Sequence, residues 1–586
     1  MSDKFTNLVE LFERSCQQYA KREVFGVKQG DTWSWVTYAE LEKQVNDARA
    51  GLAALGVKAG DKVGIVANNR VEWAAACYAT YGLRASYVPM YEAQKADEWA
   101  FILDDCGAKV VIGATNAITE KLEGLKGSAV KSLEHVIGLE LPESDERSWK
   151  ALLSRGAAHP VAAERPAPEE TAGFIYTSGT TGNPKGVILS HGNIASNINA
   201  IHEIFPFGDD RSLSFLPWAH SFGQTCELHG LLSMGCSMAI NDDVANLVAN
   251  LAVVKPSILF AVPRIFNRIY DGVNKQMTEK PGFIQSLFRS GIRTATRKNR
   301  GESVGVLDGI GLSLADKVIF SKIREKFGGR LKYAVSGSAA LSKEVAEFID
   351  ALGIEVYEGY GLTETSPIAT ANYPGNRKIG SVGKPIPGVT ITIDREVTGD
   401  PKHGEILIAG PNIMQGYHNR DDENRAVLMA DRTFRSGDMG FVDPDGYLYI
   451  TGRIKEQYKL ENGKYVVPSP LEEQLKLSPF IANVMIHGAN KPFNVALVVP
   501  DMEALKRWAG ENGVELGSVA ENPKVRELLK AELTKYAAEF KGFERPEKFA
   551  ITTEDFTTDN GLLTPTLKLK RRNVLQKYEP QLDSLY

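Results

Sequence analysis

Cysteine is scarce: five in 586 residues, at 16, 77, 106, 226 and 236, with no Cys-x-x-Cys pair and no N-terminal secretory segment. That usage speaks against a disulfide framework, and a reducing, cytoplasmic compartment is the expectation. Long apolar runs are also missing. A membrane-spanning helix needs about 20 apolar residues, and even the stretch from Trp73 to Met90 is broken by Arg84 and small polar groups. The protein is therefore expected to be soluble, or at most to sit on a membrane surface. An excess of positive charge is lacking too: the net charge of −5 gives no whole-protein attraction to nucleic acid, although Lys568, Lys570, Arg571 and Arg572 form a local basic stretch. No internal repeat or low-complexity tract stands out.

What remains is ordinary globular material, 43 % hydrophobic and 24 % charged. A chain this long exceeds one core, so at least two domains are expected. Helical spacing of apolar residues over Leu8 to Tyr19 and Tyr38 to Leu55 alternates with short buried-strand patterns at Lys62 to Val66 and Lys109 to Ile112. Such alternation predicts an α/β architecture with a largely parallel sheet. A Pro/Ala/Glu-rich passage from His159 to Glu170 reads as a connector, and Tyr270 to Lys326 as a helical, basic insertion between two strands. Beyond Arg453 a smaller unit begins, with a helix at Glu472 to Leu477, strands at Val484 to Ile486 and Val495 to Val499, and a helix at Lys524 to Phe540.

After the strand ending at Tyr176 comes Thr177-Ser178-Gly179-Thr180-Thr181-Gly182-Asn183-Pro184-Lys185-Gly186. Glycines let backbone N–H groups approach a polyphosphate, hydroxyls donate to it, and the lysine supplies charge. The spacing is not that of a Walker loop, because Pro184 precedes Lys185 and glycine follows it. His191, beside Ser190 and Asn193, reads as a helix-start capping element.

The string Tyr176 to Gly186, together with Tyr360-Gly361-Leu362-Thr363-Glu364, Ser436-Gly437-Asp438, Gly452-Arg453-Ile454-Lys455 and the terminal Lys568, resembles the adenylate-forming superfamily over nearly the whole chain. That superfamily includes acyl-CoA synthetases, luciferases and peptide-synthetase adenylation domains. The resemblance implies a large multi-sheet N-terminal adenylation domain, residues 1–454, and a smaller mobile α+β lid, residues 455–586, carrying the catalytic lysine. It implies ATP as a substrate held by Thr177, Ser178, Gly179, Thr180, Thr181, Gly182 and Lys185, with Gly337-Ser338-Ala339 flanking the adenine and Tyr360 stacking on it beside Gly361. Thr363 would contact the α-phosphate, Glu364 would hold Mg²⁺, and Asp438 with Arg453 would bind the ribose. Lys568 would bridge carboxylate and α-phosphate, with Lys570 as the rival assignment, while Lys455 would be the interdomain hinge. His220, in Leu216 to Gly223, would lie between the carboxylate and the thiol path.

Within the superfamily, Val262 to Ile269, Leu314-Ala315-Asp316-Lys317 and Tyr465 to Pro470 resemble long-chain acyl-CoA synthetases. The implied reaction converts a fatty acid, ATP and coenzyme A into acyl-CoA, AMP and pyrophosphate. A fatty acyl-AMP ligase serving a carrier protein and a non-catalytic lipid- or nucleotide-binding protein are the alternatives, and a homodimer stays open. One stretch departs from the pattern: Asp431 to Asp438 lacks the Gly-Trp that many fatty acyl relatives carry before the ribose aspartate.

Overall fold

The structure is a computed structural model that describes residues 4–30, 32–177, 184–397, 401–564 and 568–586. The chain divides into two compact units, one of residues 1–392, 407–435 and 444–448, the other of 393–406, 436–443 and 449–586. The expected α/β architecture is present in the first.

Among the described residues, the first unit holds a seven-stranded sheet ordered Gly416–Tyr417, Lys185–Ser190, Thr171–Thr177, Ser86–Met90, Lys62–Val66, Val110–Gly113 and His135–Gly138. The last five strands pair in parallel, whereas Thr171–Thr177 and Lys185–Ser190 form an antiparallel hairpin. Parallel neighbours need helical crossovers, and the helices Val71–Tyr81 and Ala96–Cys106 supply them. With helices covering both faces, Ser86–Met90 and Val110–Gly113 are buried along their whole length, so they read in sequence as continuous apolar runs. The second sheet has nine strands, ordered Lys384–Pro385, Ile368–Ala371, Glu355–Gly361, Tyr333–Ser336, Ile258–Ala261, Arg211–Ser214, Ser237–Ile240, Glu23–Gln29 and Thr32–Thr37. Trp73, buried completely, packs edge-on against Tyr87 at 5.0 Å and Trp218 at 5.7 Å, placing large aromatic area in this unit's core.

The crossover from Ile258–Ala261 to its parallel neighbour Tyr333–Ser336 is the expected insertion, built from helices Pro263–Thr278, Gly282–Asn299, Val306–Ala315 and Ser321–Lys326. Helix ends follow local chemistry. Thr37 and Glu40 form a capping box at helix Tyr38–Ala54, and Ser190 with Asn193 forms one at helix His191–Ile204. This corrects the reading of His191. Ser190 and Asn193 cap the helix, while His191 is fully buried, accepts the Leu8 N–H at 3.4 Å and packs edge-on against Tyr81.

In the second unit, strands Ile481–His487, Asn494–Pro500 and Pro546–Ile551 form a three-stranded sheet. Alternate residues serve its two faces, as the two-residue period of a strand requires. Ile486, Ala496 and Val498 pack with helices Pro468–Leu475 and Pro523–Tyr536, whereas Met485, Val495 and Leu497 pack with Phe556 and with Val574 and Leu582 of helix Arg571–Asp583. A further sheet contains Thr390–Asp394, Gly404–Ala409, Phe434–Val442 and Leu448–Arg453 in that order. All five cysteines are buried free thiols, and among the described residues no helix is long and apolar enough to cross a membrane.

Candidate active site

The hairpin of the seven-stranded sheet sets Thr177 directly opposite Lys185 at the end where its two strands are connected. Ser178, Gly179, Thr180, Thr181 and Gly182, the centre of the polyphosphate string, lie outside the described residues. The hairpin is tied down from its side: the Tyr176 hydroxyl donates to Asp105 Oδ2 at 2.7 Å, and His418 Nε2 contacts the Asp105 carbonyl at 2.9 Å. Lys185 Nζ pairs with Glu423 and lies 5.3 Å from the centre of the Tyr417 ring. Tyr417 sits on the two-residue edge strand paired with Val187, and its hydroxyl donates to Glu364 Oε1 at 2.7 Å. One aromatic side chain thus joins Lys185, the polyphosphate candidate, to Glu364, the magnesium candidate.

Thr363 and Glu364 occupy a short 3₁₀ turn, Thr363–Thr365, that follows the strand Glu355–Gly361. Gly361 must be glycine, because a Cβ there would lie 1.7 Å from the Pro367 carbonyl oxygen. Asparagines brace the turn: Asn412 Nδ2 donates to the carbonyls of Thr365 and Ile368, and Asn197 Oδ1 accepts the Ile368 N–H. The Met414 N–H donates to the Glu364 carbonyl at 2.9 Å, and Arg432 Nη2 holds the Met414 carbonyl at 2.5 Å. Arg432 belongs to the stretch that departs from the Gly-Trp pattern and has φ +69°, a left-handed conformation that glycine adopts without strain.

The buried Thr363 Oγ1 lies 3.3 Å from Ser221 Oγ, which brings the Leu216 to Gly223 string to the turn. His220 precedes the π-helix Phe222–His229 and accepts the Phe222 N–H on Nδ1 at 3.2 Å, so in a neutral ring Nε2 carries the proton. A Cβ on Gly337 would meet the Phe222 ring at 3.2 Å, placing Gly337-Ser338-Ala339 beside the same string, with Ser338 left-handed at φ +71°. Glu358, two residues before Tyr360, is buried and accepts the Leu341 N–H at 3.1 Å, anchoring the loop that carries Ser338. Burial pushes its carboxyl up to about 8, with that single N–H acting the other way. Burial also pushes Glu227 of the π-helix up to about 7 against the hydroxyls of Ser214 and Ser212.

The second unit carries the remaining candidates. Asp438 is 6 % exposed, its backbone N–H donates to Ser436 Oγ, and Arg453 Nε donates to its Oδ1 at 2.6 Å. Gly437, before it, takes φ +70°. Lys455 is exposed in the turn Ile454–Glu456. Lys568 is exposed; its carbonyl accepts the Thr564 N–H at 2.8 Å, and its own N–H donates to Thr564 Oγ1 at 3.0 Å. Beyond it Arg571 grips both carboxylate oxygens of the buried Glu472, at 2.8 and 2.7 Å, and donates to the Ile486 carbonyl. With Nη2 on the carboxylate and Nη1 on the carbonyl, the guanidinium is fixed in orientation as well as charge-paired.

Two residues of this arrangement, Tyr417 and Glu423, belong to no motif and act through partners distant in sequence, while the contacts of Ser221 and Arg432 are not encoded by the strings that contain them. Gly416-Tyr417 as an aromatic on an edge strand is the one local signal. Among the described residues no group of three or more His, Cys, Asp or Glu could hold a metal ion. A lone carboxylate steadied by a tyrosine hydroxyl nevertheless suits magnesium, which takes one or two carboxylates and completes its shell from phosphate and water.

The AMP-binding enzyme family matches residues 12–418, and the AMP-binding enzyme C-terminal domain matches residues 455–586. This chain belongs to the AMP-binding enzyme family. The AMP-binding enzyme is 34 % identical to long-chain-fatty-acid–CoA ligase FadD15 of Mycobacterium bovis, over 94 % of this chain and 92 % of that protein. It is 31 % identical to human long-chain-fatty-acid–CoA ligase 1, over 100 % of this chain and 87 % of that protein. Among solved structures, the A-PCP didomain of carboxylic acid reductase from Segniliparus rugosus in complex with AMP superposes with a TM-score of 0.79 at 23 % identity, over 100 % of this chain and 82 % of that one. At that identity the likeness speaks to the fold, an adenylation domain followed by a smaller C-terminal domain.

Proposed function

We propose that this AMP-binding enzyme converts a long-chain fatty acid to acyl-AMP and passes the acyl group to coenzyme A, releasing pyrophosphate and then AMP. The observation that carries the reading is the Tyr417 link, which puts Lys185 and Glu364 around one ring while Thr363 of the same turn faces the His220 string. A polyphosphate lysine, a magnesium carboxylate and a hydroxyl donor on one scaffold suit attack at an α-phosphate better than any non-catalytic role. The relatives named as long-chain-fatty-acid–CoA ligases supply the substrate class.

In this reading Lys185 and the loop from Thr177 to Gly182 bind the β- and γ-phosphates, exchanging Glu423 for the nucleotide as counter-charge. Thr363 donates to the α-phosphate. Glu364 would hold magnesium, which when bound would supply charge neutralisation at the phosphates. Tyr360 stacks on adenine, with Gly361 and Gly337-Ser338-Ala339 completing its slot, and the Asp438–Arg453 pair receives the ribose hydroxyls. A carboxylate oxygen attacks the α-phosphorus, and Lys568 stabilises the charge that accumulates there. The thiol sulfur then forms its bond to the acyl carbon as the acyl–oxygen bond breaks and AMP departs, with His220 on the path between. Residues 455–586 act as a lid turning about Lys455, withdrawing Lys568 between the two half-reactions.

A fatty acyl tail fits the chemistry of such a site, because each CH₂ buried adds roughly 0.8 kcal/mol without polar contacts. The test is a panel of carboxylic acids from acetate to stearate assayed for pyrophosphate release with and without coenzyme A. Long-chain acids should lead, and CoA should accelerate turnover with thioester formed in step. Turnover confined to short or aromatic acids, or indifferent to CoA, would overturn the substrate or the acceptor respectively.

A further inference from the structure

The helical insertion has a feature that ATP chemistry leaves unused. Residues 270–326 contain eleven lysines and arginines against six acids, in a chain whose net charge is −5. Within them, helix Val306–Ala315 buries only Ala315. Val306, Leu307, Ile310 and Leu314 are 81, 84, 62 and 51 % exposed. At 3.6 residues per turn these four fall within one arc of about 100°. The helix lies against Gly282–Asn299, whose first turn exposes Phe283 and whose Arg289 and Arg293, one turn apart, are exposed on a common face. Large apolar side chains concentrated on one solvent-facing helix mark an interaction surface rather than scattered exposure.

Its charge selects the occupant. A second copy meeting this face about a two-fold axis would set the same basic segment against itself. A bilayer with anionic headgroups satisfies both halves, since acyl chains take the apolar arc while phosphates take the arginines. We infer that the face made by Val306, Leu307, Ile310, Leu314 and Phe283 docks on an anionic phospholipid surface, with Arg289 and Arg293 at headgroup phosphates. The inference rests on the acyl-CoA ligase reading for its purpose, the capture of an acid dissolved in the membrane; the docking itself requires no turnover.

The test is sedimentation of the full chain with vesicles, without ATP or acid, so that its outcome stands apart from the activity assay. The chain should pellet with vesicles of equal phosphatidylcholine and phosphatidylglycerol, much less with phosphatidylcholine alone, and less at high salt. The double variant Leu307→Glu/Ile310→Glu and the double variant Arg289→Glu/Arg293→Glu should each lower partitioning tenfold or more while melting with the parent, because all four side chains are exposed. Absence of the parent from the mixed-vesicle pellet, or parent-like binding by both melting-competent variants, would overturn the inference. So would a dimer in light scattering that Leu307→Glu/Ile310→Glu dissociates, which would assign the face to self-association.

Discussion

Replacing Tyr417 by phenylalanine deletes one hydroxyl and leaves the ring, so it separates the hydroxyl's contact with Glu364 from the ring's contact with Lys185. The hydroxyl donates to Glu364 Oε1 at 2.7 Å, and the ring faces Lys185 Nζ at 5.3 Å. A hydrogen bond to a charged group contributes about 1.5–3 kcal/mol, and removing a partner that orients a metal ligand typically costs 10–100-fold in metal affinity or activity. Tyr417→Phe should therefore raise the magnesium concentration for half-maximal pyrophosphate release by about tenfold or more, with a smaller change in the apparent affinity for ATP. Tyr417→Leu, which also removes the ring from Lys185, should weaken both. The assay is pyrophosphate release titrated with magnesium at saturating ATP, beside a thermal melt. A Tyr417→Phe variant that melts with the parent and keeps its magnesium dependence would refute the link between Tyr417 and the metal.

Other expectations follow from the same geometry. Lys568→Ala should lower acyl-AMP formation by about a hundredfold or more yet spare thioester formation from supplied acyl-AMP; equal loss of both half-reactions would remove Lys568 from the first step. Lys455→Ala should show the opposite pattern, and unchanged rates would end the hinge argument. Glu358 holds a proton in the fold up to about pH 8 but releases it near 4.5 when unfolded, so its contribution to stability is fullest below 4.5 and declines as pH rises toward 8. Between those limits the decline is about 1.4 kcal/mol per pH unit, so melting temperature should fall less between pH 5 and 8 in Glu358→Gln than in the parent; parallel curves would contradict this. Gly361→Ala should destabilise by about 3 kcal/mol or more, since its Cβ meets the Pro367 carbonyl, whereas Gly124→Ala, with open space around the site, should melt with the parent.

Much of the fold was legible because the relevant signals are local. Leu8–Tyr19 and Lys62–Val66 have the ends that apolar spacing assigns them, since an amphipathic stripe and a buried run carry their own boundaries. The helix placed at Lys524 to Phe540 instead runs Pro523–Tyr536, starting under an Asn522 cap and a first-turn proline. His191 was misjudged because a Ser-x-x-Asn capping box needs no help from the residue between, which is left to fill the core. At the site, the strings around Thr363 and His220 could be picked out separately, but the Ser221–Thr363 contact joins residues 142 apart in the chain. Tyr417 and Glu364 are 53 apart, and Lys185 and Glu423 are 238 apart. Such pairings are set by sheet order, chiefly the edge strand Gly416–Tyr417 laid along Lys185–Ser190, and no local pattern encodes that order.

The acyl-adenylate route makes a commitment about one atom. With both carboxylate oxygens of palmitate labelled with ¹⁸O, incubated with ATP, magnesium, coenzyme A and the full chain, the oxygen that attacks the α-phosphorus leaves with AMP when the thiol displaces it. Mass spectrometry of the nucleotide should then find AMP carrying one ¹⁸O for each thioester formed, beside unlabelled pyrophosphate. Label in inorganic phosphate with ADP as the nucleotide product, or thioester accompanied by unlabelled AMP, would contradict activation at the α-phosphate.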